Sequence, residues 1–383
     1  MIRKLYLSAA LIAACSMNLL AQPAQPEAGM RWVINPETSD EFEQAGFDYD
    51  KWYNVDPNSW RGRAPGFFEA EATSIADGKL RLTVDILEKP IMFGGQEFTH
   101  RGAHVYSKAK LLPGSYAECS MKANKTFMSS TFWLITAGKD REGCDSRTTE
   151  LDIQECIGFP ADNHTIRRMG SNTHSRDIPE GCNYEKGSKG NNAVVDGDVT
   201  EDFHTYAAWW KSPTEIIFYL DGEYAGTVNP AAPFDLPMAV KLVCETYNWS
   251  KAPEDGGMTG SFEDRTTSYE WVRCYTSIPI DQKLSKGENA YNSIFEEGVS
   301  FVNGQTNLSA ANPKINVCYS SSKGGKLSVE IKSESGECVA SERYSTYSGM
   351  GNVPFEFSAV DAGKYQVVAT SNGKSAMQSV DIK

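Results

Sequence analysis

Apolar residues recur at every second position along most of this chain, and helical spacing is nearly absent. In "GKLRLTVDI", Leu80, Leu82, Val84 and Ile86 fall on one face, the period-2 mark of a half-buried strand. "EIIFYLDGEYAGTV" predicts a hairpin turning at Asp221-Gly222, where a two-residue turn needs positive φ. "SYAECSMKA", "STFWLITA", "TELDIQECI", "HTYAAWW", "MAVKLVCETY" and "YEWVRCY" read as further strands, with Gly, Pro and Asn between them. Many short strands punctuated by turns predict an all-β sandwich or barrel over residues 30–280.

The pattern breaks at "PIDQKLSKGENAYN", which is polar and aperiodic, so 281–292 reads as a linker. Beyond it "KINVCYS", "KLSVEIKS", "VPFEFSAV" and "KYQVVATS" predict a small immunoglobulin-like β-sandwich over 293–383. That unit has few clustered aromatics and no acid cluster. It reads as a spacer or packing module, with sugar binding as the alternative.

Composition narrows the function classes. With 40% hydrophobic and 23% charged residues the chain is a packed protein rather than a disordered one. A net charge of −13 argues against nucleic acid or an anionic membrane as partner. The start "MIRK", the apolar "LYLSAALIAA" and the small residues of "NLLAQ" read as an export signal over 1–21, cleaved after Ala21. "LIAAC" offers a second reading, a lipoprotein anchored through Cys15. The expected location is therefore secreted or periplasmic. The apolar run is too short to span a bilayer comfortably, and no later run approaches it, so no transmembrane segment is expected.

Export permits disulfides. The cysteines past Ala21 are Cys119, Cys144, Cys156, Cys182, Cys244, Cys274, Cys318 and Cys338, and no CxxC metal spacing occurs among them. Cys144 with Cys182, and Cys318 with Cys338, are the pairs to test first.

The chemistry concentrates in "ELDIQE". Glu150 and Asp152 share a face of an ideal strand, whereas Glu155 falls on the other. Three solvated acids on an exposed edge would be the bland reading. Leu151, Ile153 and Ile157, however, demand a packed face. One extra residue between Asp152 and Glu155, a β-bulge, turns all three acids to the same side. Two such carboxyl groups with split proton affinities can serve a retaining glycosidase, with the intervening acid tuning the pair.

"ELDIQE" resembles the E-x-D-x-x-E signature of glycoside hydrolase family 16. "SDEFEQAGFDYDKW", "SSTFWLI", "FHTYAAWW", "IIFYLDG" and "YEWVRCY" resemble its flanking segments in order, over residues 31–278. The resemblance implies a β-jelly roll with Glu150 as nucleophile, Asp152 as its assistant and Glu155 as acid/base. "WRGRAPGFF", "MGSNTHSR", "CETYNW" and "RTTSYEWVR" resemble marine β-agarases, and β-porphyranases share several of these features. The function so implied is endo-acting, retaining cleavage of β-1,4-galactosidic linkages in agar-type red-algal galactans. A β-porphyranase acting on sulfated porphyran is the alternative. A lectin-like polysaccharide-binding protein without turnover is the rival from another class.

A polysaccharide groove needs flat rings for stacking and polar groups for hydroxyls. Trp60 sits in a Gly/Pro-rich loop and reads as a stacking platform or as loop packing. Arg63 can bond a sugar oxygen or a sulfate, or remain a surface arginine. Trp133 alternates with Phe132 and Leu134, and so floors the groove or fills the inter-sheet core. Trp209 and Trp210 must face opposite ways, one of them into the core. "HTIRRMGSNTHSR" is basic within an acidic protein and supplies Arg168, Asn172 and His174; the resemblance places the last two near the cleft. Glu245 can accept from hydroxyls or pair with an arginine.

Relatives often hold a structural calcium opposite the cleft. The acidic candidates here are Glu41 and Glu270, although the family usually has Asp where this chain has Glu270. No cofactor is implied for catalysis, since "GxGxxG", "GxxxxGK[ST]" and "GxSxG" are all missing. The expected partner is a polysaccharide, bound by a monomer.

Overall fold

The computed structural model describes residues 22–136, 141–161, 163–302 and 304–383. The expected export signal and Cys15 lie outside the described residues. Two large sheets pack face to face. One, the cleft sheet, runs in the order Gly187–Val194, Arg168–Arg176, Thr148–Ile157, Ser129–Thr136, Met238–Cys244, Gln96–Leu111 and Trp52–Tyr53. The other, the back sheet, runs Glu223–Val228, Glu215–Leu220, His204–Ser212, Tyr116–Lys122, Thr266–Pro279 and Met30–Ile34. Alternate residues from both sheets meet in one core that includes Leu80, Leu82, Val105, Phe132, Leu151, Ile153, Phe218 and Val240. Among the described residues no helix is long and apolar enough to cross a membrane.

Most of the predicted strands are present, with two instructive departures. Leu80, Leu82 and Val84 are buried as their alternation predicts, but Ile86 is exposed. The strand ends at Thr83, and Ile86 belongs to the next one, where it sits opposite His100. The hairpin turns at Asp221 and Gly222, with φ of 50° and 82°. Trp209 and Trp210 do face opposite ways, yet both are buried. Trp210 enters the core and donates its indole N–H to Phe234 O at 2.9 Å. Trp209 lies on the outer face of the back sheet, edge-on to Trp32 at 5.4 Å, in a second apolar cluster with Tyr116, Tyr275 and Phe295.

Ala24, Ile294 and Phe295 pack on that outer face, and the back sheet itself does not stop at Met30–Ile34. It continues through Gly349–Glu356, Lys314–Ser321 and Gly298–Phe301, with Arg31 opposite Gly351 and Trp32 opposite Met350. The remaining C-terminal strands form a separate five-stranded sheet with its own core around Ile315, Val317, Val329, Ile331 and Val367. Residues 281–292, read as a linker, carry a short helix, Lys286–Tyr291, with a reciprocal Ser285/Glu288 cap. Buried Asn292 then accepts from Ile34 N and donates to Ser348 Oγ, both at 3.0 Å. Arg31 is fully buried at the seam and donates to the carbonyls of Ser348 and Gln282.

Cys144 and Cys182 form a disulfide with a Cα–Cα distance of 5.6 Å. The expected Cys318–Cys338 pair does not form. Cys318 is buried in the extension of the back sheet, whereas Cys338 is exposed on the outermost strand of the five-stranded sheet. Neighbouring positions in a small sandwich do not guarantee that two thiols share a layer.

The shared sheet predicts coupled unfolding. Ending the chain at Ile280 would expose Trp32, Trp209 and an unpaired strand edge, each large ring losing about 1.5–3 kcal/mol of burial. Calorimetry of the full chain should show one transition, and the truncated chain should melt at least several degrees lower. Two independent transitions, with the first unmoved by truncation, would show instead that the units are autonomous.

Candidate active site

Strand Thr148–Ile157 is the third of seven in the strand order of the cleft sheet, paired on both edges. Against Ser129–Thr136 its register runs Glu150 to Ile135, Leu151 to Leu134, Asp152 to Trp133, then Gln154 to Phe132 and Glu155 to Thr131. Ile153 is the extra residue, and this is the bulge the sequence called for. Leu151, Ile153 and Cys156 point into the core, while Glu150, Asp152 and Glu155 all line the opposite, cleft side. On its other edge the strand pairs with Arg168–Arg176 only as far as Asp152 opposite Asn172. Side chains take over from there. Gln154 Oε1 accepts from Gly170 N at 2.7 Å, and its Nε2 donates to Arg168 O at 3.2 Å. Ser171 Oγ donates to Ile153 O at 2.8 Å. Gly170 is required by this close approach, since a Cβ there would stand 2.9 Å from Glu155 O.

The acids sit in unequal surroundings. Glu150 receives a fork from Arg176, with Nη1 at 2.8 Å from Oε1 and Nη2 on Oε2. Asp152 is almost fully buried between the two glutamates. Burial first, then the charges of Glu155 and Glu150, hold its carboxyl well above the usual carboxylate range. His174 Nε2 lies 3.1 Å from Asp152 Oδ2, but the alignment falls short of a hydrogen bond. Its Nδ1 meets Ser188 Oγ at 2.6 Å. Burial lowers the His174 pKa, which favours neutral imidazole. Glu155 is also pushed upward by burial, against the pull of Tyr247, whose hydroxyl donates to Oε1 at 2.8 Å.

Two hollows of about 340 Å³ each meet at Glu155 and Tyr247. Trp60, Trp133, Arg63, Lys241 and Glu245 line the first, together with Glu150 and Asp152. Its floor is a cation ringed by aromatics. Lys241 Nζ pairs with buried Asp56 at 3.1 Å and lies 4.8 Å from the Trp60 ring centre and 4.9 Å from those of Trp133 and Tyr106. Arg63 reaches Glu245 at 3.5 Å across the Tyr247 ring. The second hollow lies on the far side of Glu155 and is lined by Arg168, Asn172, Asn192 and Trp249.

A bulged strand carrying three acids, set in an aromatic trough, fits cleavage of a glycan. Residues 32–277 match the family description "Beta-porphyranase A-D, GH16 domain". The chain belongs to glycoside hydrolase family 16. It is 51% identical over 261 residues to β-porphyranase B of Zobellia galactanivorans, covering 67% of this chain and 88% of that protein. The crystal structure of porphyranase B from the same organism superposes with a TM-score of 0.64 at 49% identity, covering 67% of this chain and 99% of that one. β-Agarase AgaB34 of Agarivorans albus is 21% identical over 374 residues, 91% of this chain and 75% of that protein. The protein is thus a glycosidase, and its paired sheets are the jelly roll that the resemblance implied.

Within this family 16 fold the structure gathers Glu150, Asp152, Glu155, Trp60, Arg63, Trp133, Arg168, Asn172, His174 and Glu245 around the two hollows, His174 by way of Asp152. Trp60 does both things expected of it, since it lines the cleft and packs edge-on to Phe68. Glu245 likewise pairs with Arg63 and faces the trough. The calcium pair does not fit a metal. Both oxygens of Glu41 are taken by Arg273 at 2.8 Å, and Glu270 accepts from Ser120 at 2.7 Å. Neither belongs to a cluster of three or more metal-type side chains among the described residues.

Sequence reasoning missed Arg176, Tyr247, Lys241 and Gln154 as site residues. A signal existed for Lys241, an ammonium inside the apolar "MAVKLVCETY" on the same face as Glu245. None existed for Gln154, whose role appears only once the bulge is formed.

Gln154→Leu should keep the volume but release the bulge. A shift of Glu155 by about 1 Å is expected to lower kcat roughly 10²-fold with little change in KM; unchanged kcat would show that the backbone holds the bulge unaided. A pH effect on stability follows from Glu245, pushed up to about 7 by burial. The unfolded chain releases that proton near about pH 4.3. Between these values the folded state binds more protons, so stability falls as pH rises. Glu245→Gln should flatten this decline in melting temperature between pH 5 and 8.

Proposed function

We propose that this chain is an endo-acting, retaining β-porphyranase exported from the cell. The observation that carries the substrate reading is the 51% identity to β-porphyranase B, against 21% to the β-agarase. That contrast moves the assignment from the β-agarase expected from the flanking segments to the porphyranase alternative. Two hollows joined end to end suit an internal stretch of polymer rather than a chain terminus.

In this reading Glu150 is the nucleophile. Arg176 aims its carboxylate, whose remaining lone pairs stay free for attack on the anomeric carbon. Glu155, whose proton affinity burial raises, gives its proton to the departing glycosidic oxygen as that C–O bond breaks. Water then enters. Glu155 takes a proton from it, the hydroxyl attacks the anomeric carbon, and Glu150 is released. Asp152, whose carboxyl is held well above the usual carboxylate range by burial and by both glutamates, tunes the pair from between them. A lectin-like module does not require this split in proton affinity.

Glu150→Gln should fold normally and lower turnover by about 10³-fold or more. Porphyran, agarose, carrageenan and laminarin should be incubated separately with the protein and the products sized. Sulfated oligosaccharides released rapidly from porphyran support the reading. Full activity in the variant refutes the role of Glu150, and a preference for agarose refutes the substrate.

A further inference from the structure

The guanidinium fork on Glu150 hangs from the last rung of its ladder. Arg176 ends its strand and pairs with Thr148, the first residue of the acid strand. Neither has a second strand partner among the described residues. The outer strand Gly187–Val194 pairs no further than Ser175, and Ser129–Thr136 begins its pairing at Glu150. Asp177 follows with a φ of 53° and turns the chain out of the sheet. A terminal rung held on one side only frays at little cost. If this one opened, Arg176 would leave Glu150 with it.

Two features just past the rung close it. Cys144 lies four residues before Thr148 and Cys182 six residues after Arg176, so their disulfide joins the two segments that leave the rung. Arg147, between the disulfide and Thr148, is fully buried. Its guanidinium lies 4.2 Å from the centre of the Tyr184 ring, which belongs to the opposite segment. It also donates to Cys144 O at 3.0 Å, to Pro233 O at 3.3 Å and to Asp235. The neighbouring Ala232 N donates to Ser175 Oγ at 3.2 Å, so the 232–235 segment bears on both strands. Cys144, Cys182, Arg147 and Tyr184 line neither hollow. Their route to the chemistry therefore runs through the rung.

We propose that the Cys144–Cys182 disulfide and the Arg147–Tyr184 contact form a latch that positions Arg176 on Glu150. The latch residues are positioning residues, since only Arg176 touches the nucleophile. A bidentate fork needs both of its N–H groups in the plane of the carboxylate, and a small drift of the rung breaks that match. The cross-link keeps the two exit segments together, and the buried guanidinium ties them to a third. This inference rests on the reading of Glu150 as nucleophile, and not on which galactan is cleaved.

The test is a mutant cycle in the full chain, with kcat and KM measured well below each melting temperature on whichever polymer wild type cleaves fastest. The double variant Cys144→Ala/Cys182→Ala should lose about 10-fold in kcat, with KM within about threefold of wild type. Tyr184→Leu keeps the disulfide and should lose kcat in the same direction by about threefold; it carries the test if the cysteine variant does not fold. Arg176→Lys keeps the charge but not the fork, and should lose roughly 10- to 100-fold. Adding either latch change to Arg176→Lys should cost no more than about twofold further, because the group that the latch positions is already gone. Losses that multiply in the combined variants, a rise in KM with kcat unchanged, or wild-type kcat in both latch variants overturn the inference and leave the glycosidase reading standing. Full activity in Glu150→Gln overturns the reading beneath it, and is seen in a protein whose latch is intact.

Discussion

The chemistry of this protein depends on one residue that has no partner across the sheet. Ile153 is inserted between Asp152 and Gln154, and the strand's alternation restarts half a period later. Without it Glu155 would point into the apolar core, where a carboxyl group has no partner. The insertion also interrupts the backbone ladder on the other edge. The chain repairs that edge with Gln154 and Ser171, whose side chains bond the peptide groups the bulge leaves behind. The glutamine is therefore as much a part of the acid motif as the acids, although it faces away from the cleft.

Around the bulge the protein concentrates charge in a place where charge is expensive. Glu150, Asp152, Glu155 and Glu245 converge on one trough, and they cannot all be ionised at low cost. The arrangement resolves this by inequality. Glu150 and Glu245 each have a guanidinium, Glu155 has a phenol, and Asp152 has only an imprecisely aligned imidazole. Burial raises the proton affinity of Asp152, Glu155 and Glu245, and Arg63 only partly offsets it at Glu245. Beneath them the ammonium of Lys241, anchored by Asp56 and ringed by Trp60, Trp133 and Tyr106, fixes the aromatic floor.

The C-terminal unit joins the fold at the back sheet. It lengthens the back sheet by edge pairing at Trp32 and seals the outer aromatic cluster. Residues 281–292 are part of that seal rather than a tether, because Asn292 and the carbonyl of Gln282 are bonded into it. An all-β enzyme has an edge-strand problem at each end of an open sheet. Here one end is closed with a second sandwich.

Local pattern was sufficient for the all-β class, for the hairpin at Asp221-Gly222 and for the bulge, because strand geometry allows only one way to put Glu150, Asp152 and Glu155 on one side of a packed strand. It also singled out Trp60, Trp133 and Glu245, whose residue types stand out against their neighbours. What the pattern left open was every question of which surface covers which. A period-2 argument could not say which of Trp209 and Trp210 is core, and both are buried, Trp209 in a cluster with Trp32, Phe295 and Met350. Cys318 and Cys338 looked pairable, yet they belong to different sheets. Glu41 looked free for a metal, yet Arg273 had taken it. Alternation assigns a side chain to a face; only the packing of distant strands decides whether that face meets water, core or an opposite charge.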